Sequence, residues 1–371
     1  MEVLWCNRDQ DILDLTAVVK RATRARFSQN PRATKIRTLQ LPCKRNREHH
    51  NPLPLLLLKS DLLNLESCEI PWFGVNTNRK VIERVVRKHC PKLKHLICPS
   101  FKDHELDGQG VNSFVYACTG LQSFTSNRFV DEEPVTEPRY ILSALAACHS
   151  DTLEILELTE CYQANSCDQQ DILARCKRLK QFWIMNSSPG DYNIGIESTH
   201  ILKEKWVCIE LTKLGPTLNR FPEVDDVFAE LEAAEEGAGD LGDWEEAERR
   251  LLAMASKNVY TQIGRLARLE VLVLSIGKGT YTQANQGDYA WDLTLSKGWL
   301  GEMAGLKSLK TLILRGDFWS RMGQAEVEFI HEHWPVLREI SLSGNALQLS
   351  PQSPWRWLLN KRPQLRLDHE A

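Results

Sequence analysis

The sequence predicts an α/β fold in which a short strand, a loop and a helix repeat along the chain. Three observations favour it: a recurring L-x-x-L-x-L pattern, helical periodicity between its copies, and a cysteine at a fixed distance before several copies. The pattern starts at residues 36, 62, 93, 121, 153, 179, 211, 269, 309 and 337, and the copy at 62 is weaker. All but one of the spacings are 26 to 40 residues, and the remaining one is 58. Such spacings are typical of leucine-rich repeats, which stack into a curved solenoid with a parallel sheet on the concave face and helices on the convex face.

Helices are predicted between the strands. Apolar side chains recur at helical spacing within residues 79–90, 137–148 and 325–334. One such unit cannot bury its apolar side alone, so stacked units are expected to share a continuous core.

The cysteines follow the repeat. Small or apolar side chains at the end of a helix are expected to lie buried under the next strand. Four cysteines lie three residues before the first leucine of a copy: Cys90, Cys118, Cys176 and Cys208. Trp334 takes the same place before Leu337, and Cys148 lies five residues before Leu153.

The charge distribution and the repeats together predict five regions. Residues 223–248 hold 12 acids and no lysine or arginine, so the rest of the chain carries −3 + 12 = +9. The regions are an N-terminal helical segment at 1–30, repeats at 31–222, a flexible acidic insertion at 223–256 within the 58-residue spacing, further repeats at 257–345, and a C-terminal cap or tail at 346–371. Residues 18–47 hold ten lysines and arginines and no acid. They are read as a solvated surface, or as a surface that meets an acidic partner or the acidic insertion of the same chain.

The composition excludes several classes of protein. The net charge of −3 predicts neither a nucleic-acid nor a membrane partner. The apolar run at 52–59 is far shorter than the about 20 residues that cross a bilayer. The N-terminus does not resemble a secretory signal, so we expect a cytoplasmic or nuclear protein whose 11 cysteines are free thiols.

No pattern for catalysis or cofactor binding is found. Phosphate-binding and dinucleotide-binding glycine motifs, H-E-x-x-H and G-x-S-x-G are absent from the sequence. Potential metal ligands cluster without a C-x-x-C pair, so they are read as structural: Cys148, His149, Cys161, Cys167 and Cys176. We therefore predict a protein that is not an enzyme, with no metal and no cofactor.

Strand alternation predicts the residues that form a binding surface. The leucines point to the core, and the residues between them point to the concave face. The predicted outward residues are Thr38, Gln40, His95, Ile97, Ser123, Thr125, Ile155, Glu157, Gln181, Trp183, Lys213, Val271, Val273, Thr311, Ile313, Glu339 and Ser341.

Trp183 is the largest of these side chains, and it is read either as an exposed interface anchor or as a side chain covered by a neighbouring loop. If adjacent strands are adjacent in space, it centres a partner-binding set made of His95, Ile155, Glu157, Gln181, Trp183 and Met185.

Several stretches also resemble a known family. The cysteine-containing repeats, with "EKWVCIELTKL" at 204–214, "VYTQIGRLARLEVLVLS" at 259–275 and "WDLTLSKGWLGEMAGLKSLKTLILRG" at 291–316, resemble fungal F-box/leucine-rich-repeat proteins. The likeness spans about residues 26–345, and an F-box itself is not visible. It implies that the repeats bind a protein substrate for ubiquitination, and that an upstream F-box would bind a Skp-type adaptor and a cullin.

The alternative is a leucine-rich-repeat scaffold without a ligase role, such as a nucleic-acid or ribonucleoprotein adaptor that uses the basic residues 18–47. Only Phe27 interleaves with those cations, whereas stacking on nucleic-acid bases needs several aromatic side chains. Nucleic acid therefore remains the minor possibility.

Overall fold

The computed structural model describes most of the predicted repeats. The described residues are 3–5, 36–40, 62–69, 79–98, 101–103, 108–126, 129–131, 140–159, 166–185, 205–218, 254, 257–276, 293–296, 299–315, 322–343 and 353–370. They belong to two compact units, Met1–Ala164 and Asn165–Ala371. Apart from Met254, the acidic insertion predicted at 223–256 lies outside the described residues, as does most of the basic stretch at 18–47.

The first unit is a parallel sheet whose strands follow one another in chain order. Strands β1 to β4, β6 and β8 each pair with the next, and β5 pairs with β7 in a separate two-stranded sheet. The strands are β1 (Val3–Trp5), β2 (Thr38–Gln40), β3 (Ser67–Glu69), β4 (His95–Cys98), β5 (Phe101–Asp103), β6 (Ser123–Ser126), β7 (Phe129–Asp131) and β8 (Ile155–Thr159). Helices α1 (Arg79–His89), α2 (Gly108–Ala117) and α3 (Tyr140–His149) precede β4, β6 and β8 respectively.

The second unit repeats this arrangement. Strands β9, β10, β12, β13, β14 and β15 pair in that order, all parallel, and the short β11 pairs with β12. They are β9 (Gln181–Met185), β10 (Lys213–Gly215), β11 (Thr217–Leu218), β12 (Val271–Ile276), β13 (Thr311–Arg315), β14 (Glu339–Ser343) and β15 (Arg366–Glu370). The described helical segments that precede these strands are α4 (Ser166–Arg175), residues 257–264, the 3₁₀ helix Leu300–Met303, α5 (Gln324–His333) and α6 (Pro354–Lys361).

The leucines of the repeat form the core of each unit. In β13, Leu312 and Leu314 are at most 1% exposed, as is Leu309 just before the strand, whereas Thr311 and Ile313 are half-buried. The same alternation recurs in β4, β8 and β9. Each fully buried leucine stabilises the fold by roughly 1.5–3 kcal/mol relative to an exposed one. Parallel strands joined by helices, with leucines buried at the repeat positions, make this an α/β leucine-rich-repeat fold, as predicted.

A common turn joins each helix to the next strand. The amide of the first leucine donates to the carbonyl three residues earlier, as in Leu93 to Cys90 and Leu179 to Cys176, both at 3.2 Å. The residue that supplies this carbonyl is buried in every described repeat. It is cysteine in three of them, Cys90, Cys176 and Cys208, and Leu62, Leu266, Leu306, Trp334 and Arg362 take the same place in others. Cys118 is buried at the equivalent position, but the Leu121 amide donates to His149 instead. Burial of this residue is therefore the shared requirement, and cysteine is one of several side chains that meet it.

The prediction for Cys148 was wrong. Cys148 is exposed, and His149 occupies the buried turn position with 1% of its surface accessible. Nε2 of His149 lies 2.8 Å from the Val115 carbonyl oxygen, so it donates, and Nδ1 accepts from the Leu121 amide at 3.3 Å. Both ring nitrogens are therefore committed to the backbone of the preceding repeat, which places the neutral imidazole in a structural role.

The buried His149 predicts a loss of stability in mild acid. Burial lowers the pKa of His149 below its usual value near 6.5, and the hydrogen bond to Val115 opposes this only in part. The unfolded chain therefore takes up a proton first, so the stabilisation is complete above about pH 6.5 and decreases as the pH falls below it. Between pH 7.5 and 5.5 we expect the wild type to lose on the order of 1 kcal/mol more unfolding free energy than His149→Gln, measured by denaturant titration. Equal losses in the two proteins would contradict this role.

Two boundaries differ from the sequence-based division. Residues 3–5, predicted as part of a helical segment, form strand β1, because their backbone pairs with β2 from Val3 opposite Thr38 to Trp5 opposite Gln40. Residues 353–370, assigned to a cap or tail, form a helix and a strand that pairs with β14. The repeat therefore extends beyond residue 345, where the sequence pattern stops.

Strands β10 and β12 are neighbours in the sheet although the copies of the leucine pattern that contain them start 58 residues apart. Lys213 lies opposite Val271, and Leu214 lies opposite Leu272. Among the described residues, no strand lies between these two in the sheet.

Candidate functional site

The predicted binding residues lie on the outward face of the strands in both units. In the first unit, His95 is in register with Ser123, which is in register with Ile155, and Glu157 pairs with Thr125 in the next row. His95, Ile155 and Glu157 are all half-buried. Burial is the main cause that lowers the pKa of His95, and the neighbouring Lys94 adds to it. These three residues therefore share one face.

Sequence reasoning missed Glu69 on the same face. It pairs with Ile97 in the row that continues through Thr125 to Glu157. Burial raises the pKa of this carboxyl group. Its repeat, the copy at residue 62, departs from the leucine pattern, and this irregularity hid the outward position.

In the second unit, Gln181, Trp183 and Met185 alternate along β9 with the buried Phe182 and Ile184. Gln181 and Trp183 are half-buried, and the side chain of Met185 lies outside the described part of the structure. The predicted six-residue set is thus divided between the units, three residues in each.

Trp183 lies across the neighbouring strand β10. It pairs with Gly215. A Cβ atom at residue 215 would be 2.8 Å from Cε3 and 3.1 Å from Cδ2 of the indole ring, a distance too short for real carbon atoms. Glycine at this position therefore leaves the space that the ring occupies.

Lys213 completes this arrangement. Its Nζ lies 4.0 Å from the centroid of the Trp183 ring, within the range of a cation–π interaction. Lys213 is in register with Gln181, so it reaches over the ring from the row beside it. The indole thus has one side against the Gly215 backbone and a cation close to its ring, and it is held in place before any partner binds.

Two apolar side chains stand opposite each other on the outward positions of the next strands. Val273 on β12 pairs with Ile313 on β13, and Ile313 pairs with Ser341 on β14. Ile313 is half-buried, whereas Val273 is fully buried. We name the accessible side chains Trp183, Lys213 and Ile313 the tryptophan strip.

Three residues predicted to face outward are buried instead. Ser123, Val273 and Ser341 are 9%, 0% and 4% exposed. Each is short and stands in register beside longer side chains: Ser123 between His95 and Ile155, and both others beside Ile313. In a parallel sheet in register, long neighbours cover short ones. Strand alternation predicts direction but not this shielding.

The glycine could have been found in the sequence. Gly215 follows Leu214 at an outward position, opposite the bulkiest outward side chain of the preceding repeat. A small residue beside a large aromatic on adjacent strands is a recognisable cross-strand pair. Aligning the repeats residue by residue predicts this pair.

Comparison with known proteins adds a distant structural likeness. No family model matches the sequence, and the search of curated proteins finds no relative. Among solved structures, the chain is similar to the leucine-rich repeat-containing protein LegL7 from Legionella pneumophila, with a TM-score of 0.36 and 11% sequence identity, over 92% of this chain and 93% of that one. The fold assignment rests on the strand register and the buried leucines. No described helix is long and apolar enough to cross a membrane.

The buried thiols are unsuited to catalysis. Burial is the main cause that raises the pKa of Cys118 and of Cys208 to about 12, and it also raises the pKa of Cys68 well above its usual value. These thiols stay protonated near neutral pH, whereas a nucleophile or a metal ligand must be a thiolate. Within the described ranges no cluster of three or more potential metal ligands is found.

Proposed function

We propose that this chain is a non-catalytic protein-interaction module and that the tryptophan strip is its primary contact surface. The observation that carries the proposal is the placement of Trp183. Its half-buried side chain occupies the space that a Cβ at Gly215 would need, and its ring centroid lies 4.0 Å from the Lys213 ammonium. Tryptophan is among the residues that contribute most to protein interfaces, above all where it is rigid before binding. The half-buried Ile313 adds apolar contact area in the same unit.

Replacing Trp183 by alanine is expected to weaken partner binding without unfolding the chain. A central interface tryptophan contributes about 2 kcal/mol or more, which corresponds to a roughly 30-fold rise in Kd. Affinity purification with mass spectrometry on wild-type and variant chains would identify the partner, and calorimetric titration would then measure the change in Kd.

The structure offers a matched control. Trp299 is also half-buried, and Lys257 Nζ lies 5.4 Å from its ring centroid, but it precedes the 3₁₀ helix instead of lying on a strand. Trp299→Ala should leave partner recovery unchanged. A partner lost equally from both variants, or a melting temperature lowered more by Trp183→Ala than by Trp299→Ala, would contradict the assignment.

A second variant tests the orientation of the ring rather than its presence. Gly215→Ala places a Cβ atom where the indole now lies, so Trp183 must turn away from the sheet. We expect weaker binding although the tryptophan remains. If Gly215→Ala binds as tightly as the wild type, the pre-set ring position is not what the partner recognises.

The more specific form of the proposal follows from the resemblance to F-box/leucine-rich-repeat proteins. In that form the bound protein is a substrate for ubiquitination, and the chain acts together with a Skp-type adaptor and a cullin. Recovery of both from the purification would support this role. Loss of the recovered partners on RNase treatment would instead support the ribonucleoprotein adaptor.

A further inference from the structure

A second surface of the Asn165–Ala371 unit carries an excess of positive charge. It is formed by the turns that lead into β9, β10, β12, β13 and β14, at residues 177–180, 209–212, 267–270, 307–310 and 335–338, which we name the basic edge. These turns hold seven cations and two acids, Glu210 and Glu270. All seven cations are exposed: Lys177, Arg178, Lys180, Arg268, Lys307, Lys310 and Arg338.

The corresponding turns of the first unit lack this excess. Their described residues, 36–37, 63–66, 91–94, 119–122 and 150–154, hold three cations and three acids. The turn has the same backbone role in both units, so the repeat itself does not require cations there. The charge of the basic edge therefore needs another explanation.

The backbone holds the basic edge rigid. The Lys180 carbonyl accepts from the amides of Thr212 and Lys213 at 2.7 and 3.1 Å, and the Lys310 carbonyl accepts from those of Arg338 and Glu339 at 2.8 and 3.1 Å. Neighbouring strands lie about 4.8 Å apart, so the five turns present their cations over roughly 19 Å. An array of fixed spacing attracts an extended polyanion along its length.

Ion pairing within the edge leaves its net charge positive. Arg268 pairs with Glu210, and Lys310 Nζ lies 2.8 Å from Glu270 Oε1. Both acids are thus matched by one cation each, and five more cations than acids remain on the surface. Exposed pairs of this kind stabilise the fold little, which leaves partner attraction as the stronger reason for so many cations.

Two exposed aliphatic side chains distinguish the kind of polyanion. Ile209 is 57% exposed and Val336 is 41% exposed, and both lie within the basic edge. None of the five turns contains an aromatic residue. Bases stack on aromatic side chains, whereas aliphatic side chains bury their surface against other aliphatic ones. The combination fits a polypeptide better than a nucleic acid.

We propose that the basic edge binds an acidic polypeptide segment that contains interspersed aliphatic residues. It is separate from the tryptophan strip, which lies on the outward face of the strands, so the two surfaces can be tested independently.

The test measures binding of a synthetic peptide to the full-length chain by fluorescence anisotropy. The probe is a labelled 20-residue peptide of glutamate with a leucine at every fourth position, and a peptide with serine in place of leucine is compared with it. We expect the leucine peptide to bind more tightly than the serine peptide, and its Kd to rise with salt as ion pairs are screened.

Charge reversal provides the matched comparison. Arg178→Glu with Lys180→Glu should raise the Kd of the leucine peptide by roughly tenfold or more, since two attractive contacts become repulsive. Lys92→Glu with Lys94→Glu alters exposed lysines at the same two turn positions in the first unit and should change the Kd by less than about twofold. Replacing Ile209 and Val336 by serine should abolish the difference between the two peptides.

Several outcomes would overturn the proposal: no binding of the leucine peptide, an equal effect of the two charge-reversal pairs, or tighter binding of a 20-base-pair DNA duplex or a 20-nucleotide RNA. The Trp183→Ala variant should bind the acidic peptide as the wild type does. Loss of peptide binding in that variant would merge the two surfaces into one, which contradicts the separation proposed here.

Discussion

Replacing Gly264 by alanine is expected to destabilise the second unit by about 3 kcal/mol. Gly264 ends the helical residues 257–264, and a Cβ atom there would lie 2.0 Å from the Glu302 carbonyl oxygen and 3.2 Å from the Met303 Cα. Gly305 makes the reciprocal contact, because its Cβ would lie 2.4 Å from the Gly264 carbonyl oxygen. Two connecting segments thus touch backbone to backbone, and neither can move aside as a flexible side chain would. Thermal unfolding should show a fall in Tm of roughly 6–12 °C.

Gly301→Ala is the matched control for this change. Gly301 lies in the 3₁₀ helix Leu300–Met303, which supplies the atoms that Gly264 contacts. It is exposed, and a Cβ atom there would lie 4.0 Å from the nearest atom, Cδ2 of Leu295. We expect its Tm to stay within about 2 °C of the wild type, as for a surface substitution. Similar melting temperatures for Gly264→Ala and Gly301→Ala would show that the close backbone contact does not limit stability.

Replacing Arg362 by alanine is expected to lower the unfolding free energy of the second unit by about 3 kcal/mol. The guanidinium is buried at the end of α5, where it donates to the Trp334 carbonyl at 2.7 Å, to the His331 carbonyl, and through Nε to His331 Nδ1 at 3.0 Å. The His331 carbonyl is among those that a helix leaves without intrahelical partners, and a cation there also interacts favourably with the helix dipole. The Trp334 carbonyl also accepts from the Leu337 amide at 3.2 Å. Burial lowers the pKa of Arg362, yet arginine remains ionised at neutral pH. Its removal would leave the His331 carbonyl and Nδ1 without this donor, and urea unfolding would measure the loss.

Two variants define the specificity of this effect. Arg362→Lys keeps the charge but not the planar set of donors, so we expect a smaller loss. Arg356→Ala removes an exposed arginine from α6, the helix that Arg362 directly follows, and should change the unfolding free energy by less than about 0.5 kcal/mol. A loss for Arg356→Ala as large as for Arg362→Ala would contradict the capping role.

Much of the fold follows from local patterns that a reader of the sequence can recognise. Backbone geometry alone decides which residues share a face: every second residue in a strand such as β13, and every third or fourth in a helix such as α5. The predicted helix at 325–334 accordingly forms as Gln324–His333, and that at 79–90 forms as Arg79–His89. Strand β1 was missed because three residues carry too little periodicity to indicate a strand.

The candidate site was predicted less completely. Trp183 was placed on the outward face because Phe182 and Ile184 fit the core pattern, and this direction depends only on alternation. Its contacts with Gly215 and Lys213 depend on which residues of the next strand stand beside it, and the register between strands sets that. The burial of Val273 depends on the same register, through the longer Ile313 at its side.

The turn position shows the same division at single residues. Cysteine spacing indicated a buried residue before each strand, but whether Cys148 or His149 filled it depended on how the extra residues of that turn were accommodated. Likewise, no local pattern marks Gly264 and Gly305 as partners, since they are brought together by two helices that stack in space.

The amino-acid sequence by itself determined the repeat, the strand and helix types and the direction of most side chains, because these depend on a few neighbouring residues. Only the tertiary structure decided that Trp183 lies on Gly215 beside Lys213 and that the Arg362 side chain caps the C-terminal end of α5. It also decided that the cations of five separate turns form one edge. These features join residues that are far apart in the chain. Trp334 and Arg362 are 28 positions apart, and Lys177 and Arg338, at the two ends of the basic edge, are 161 apart. The packing of one repeat on the next brings such residues together.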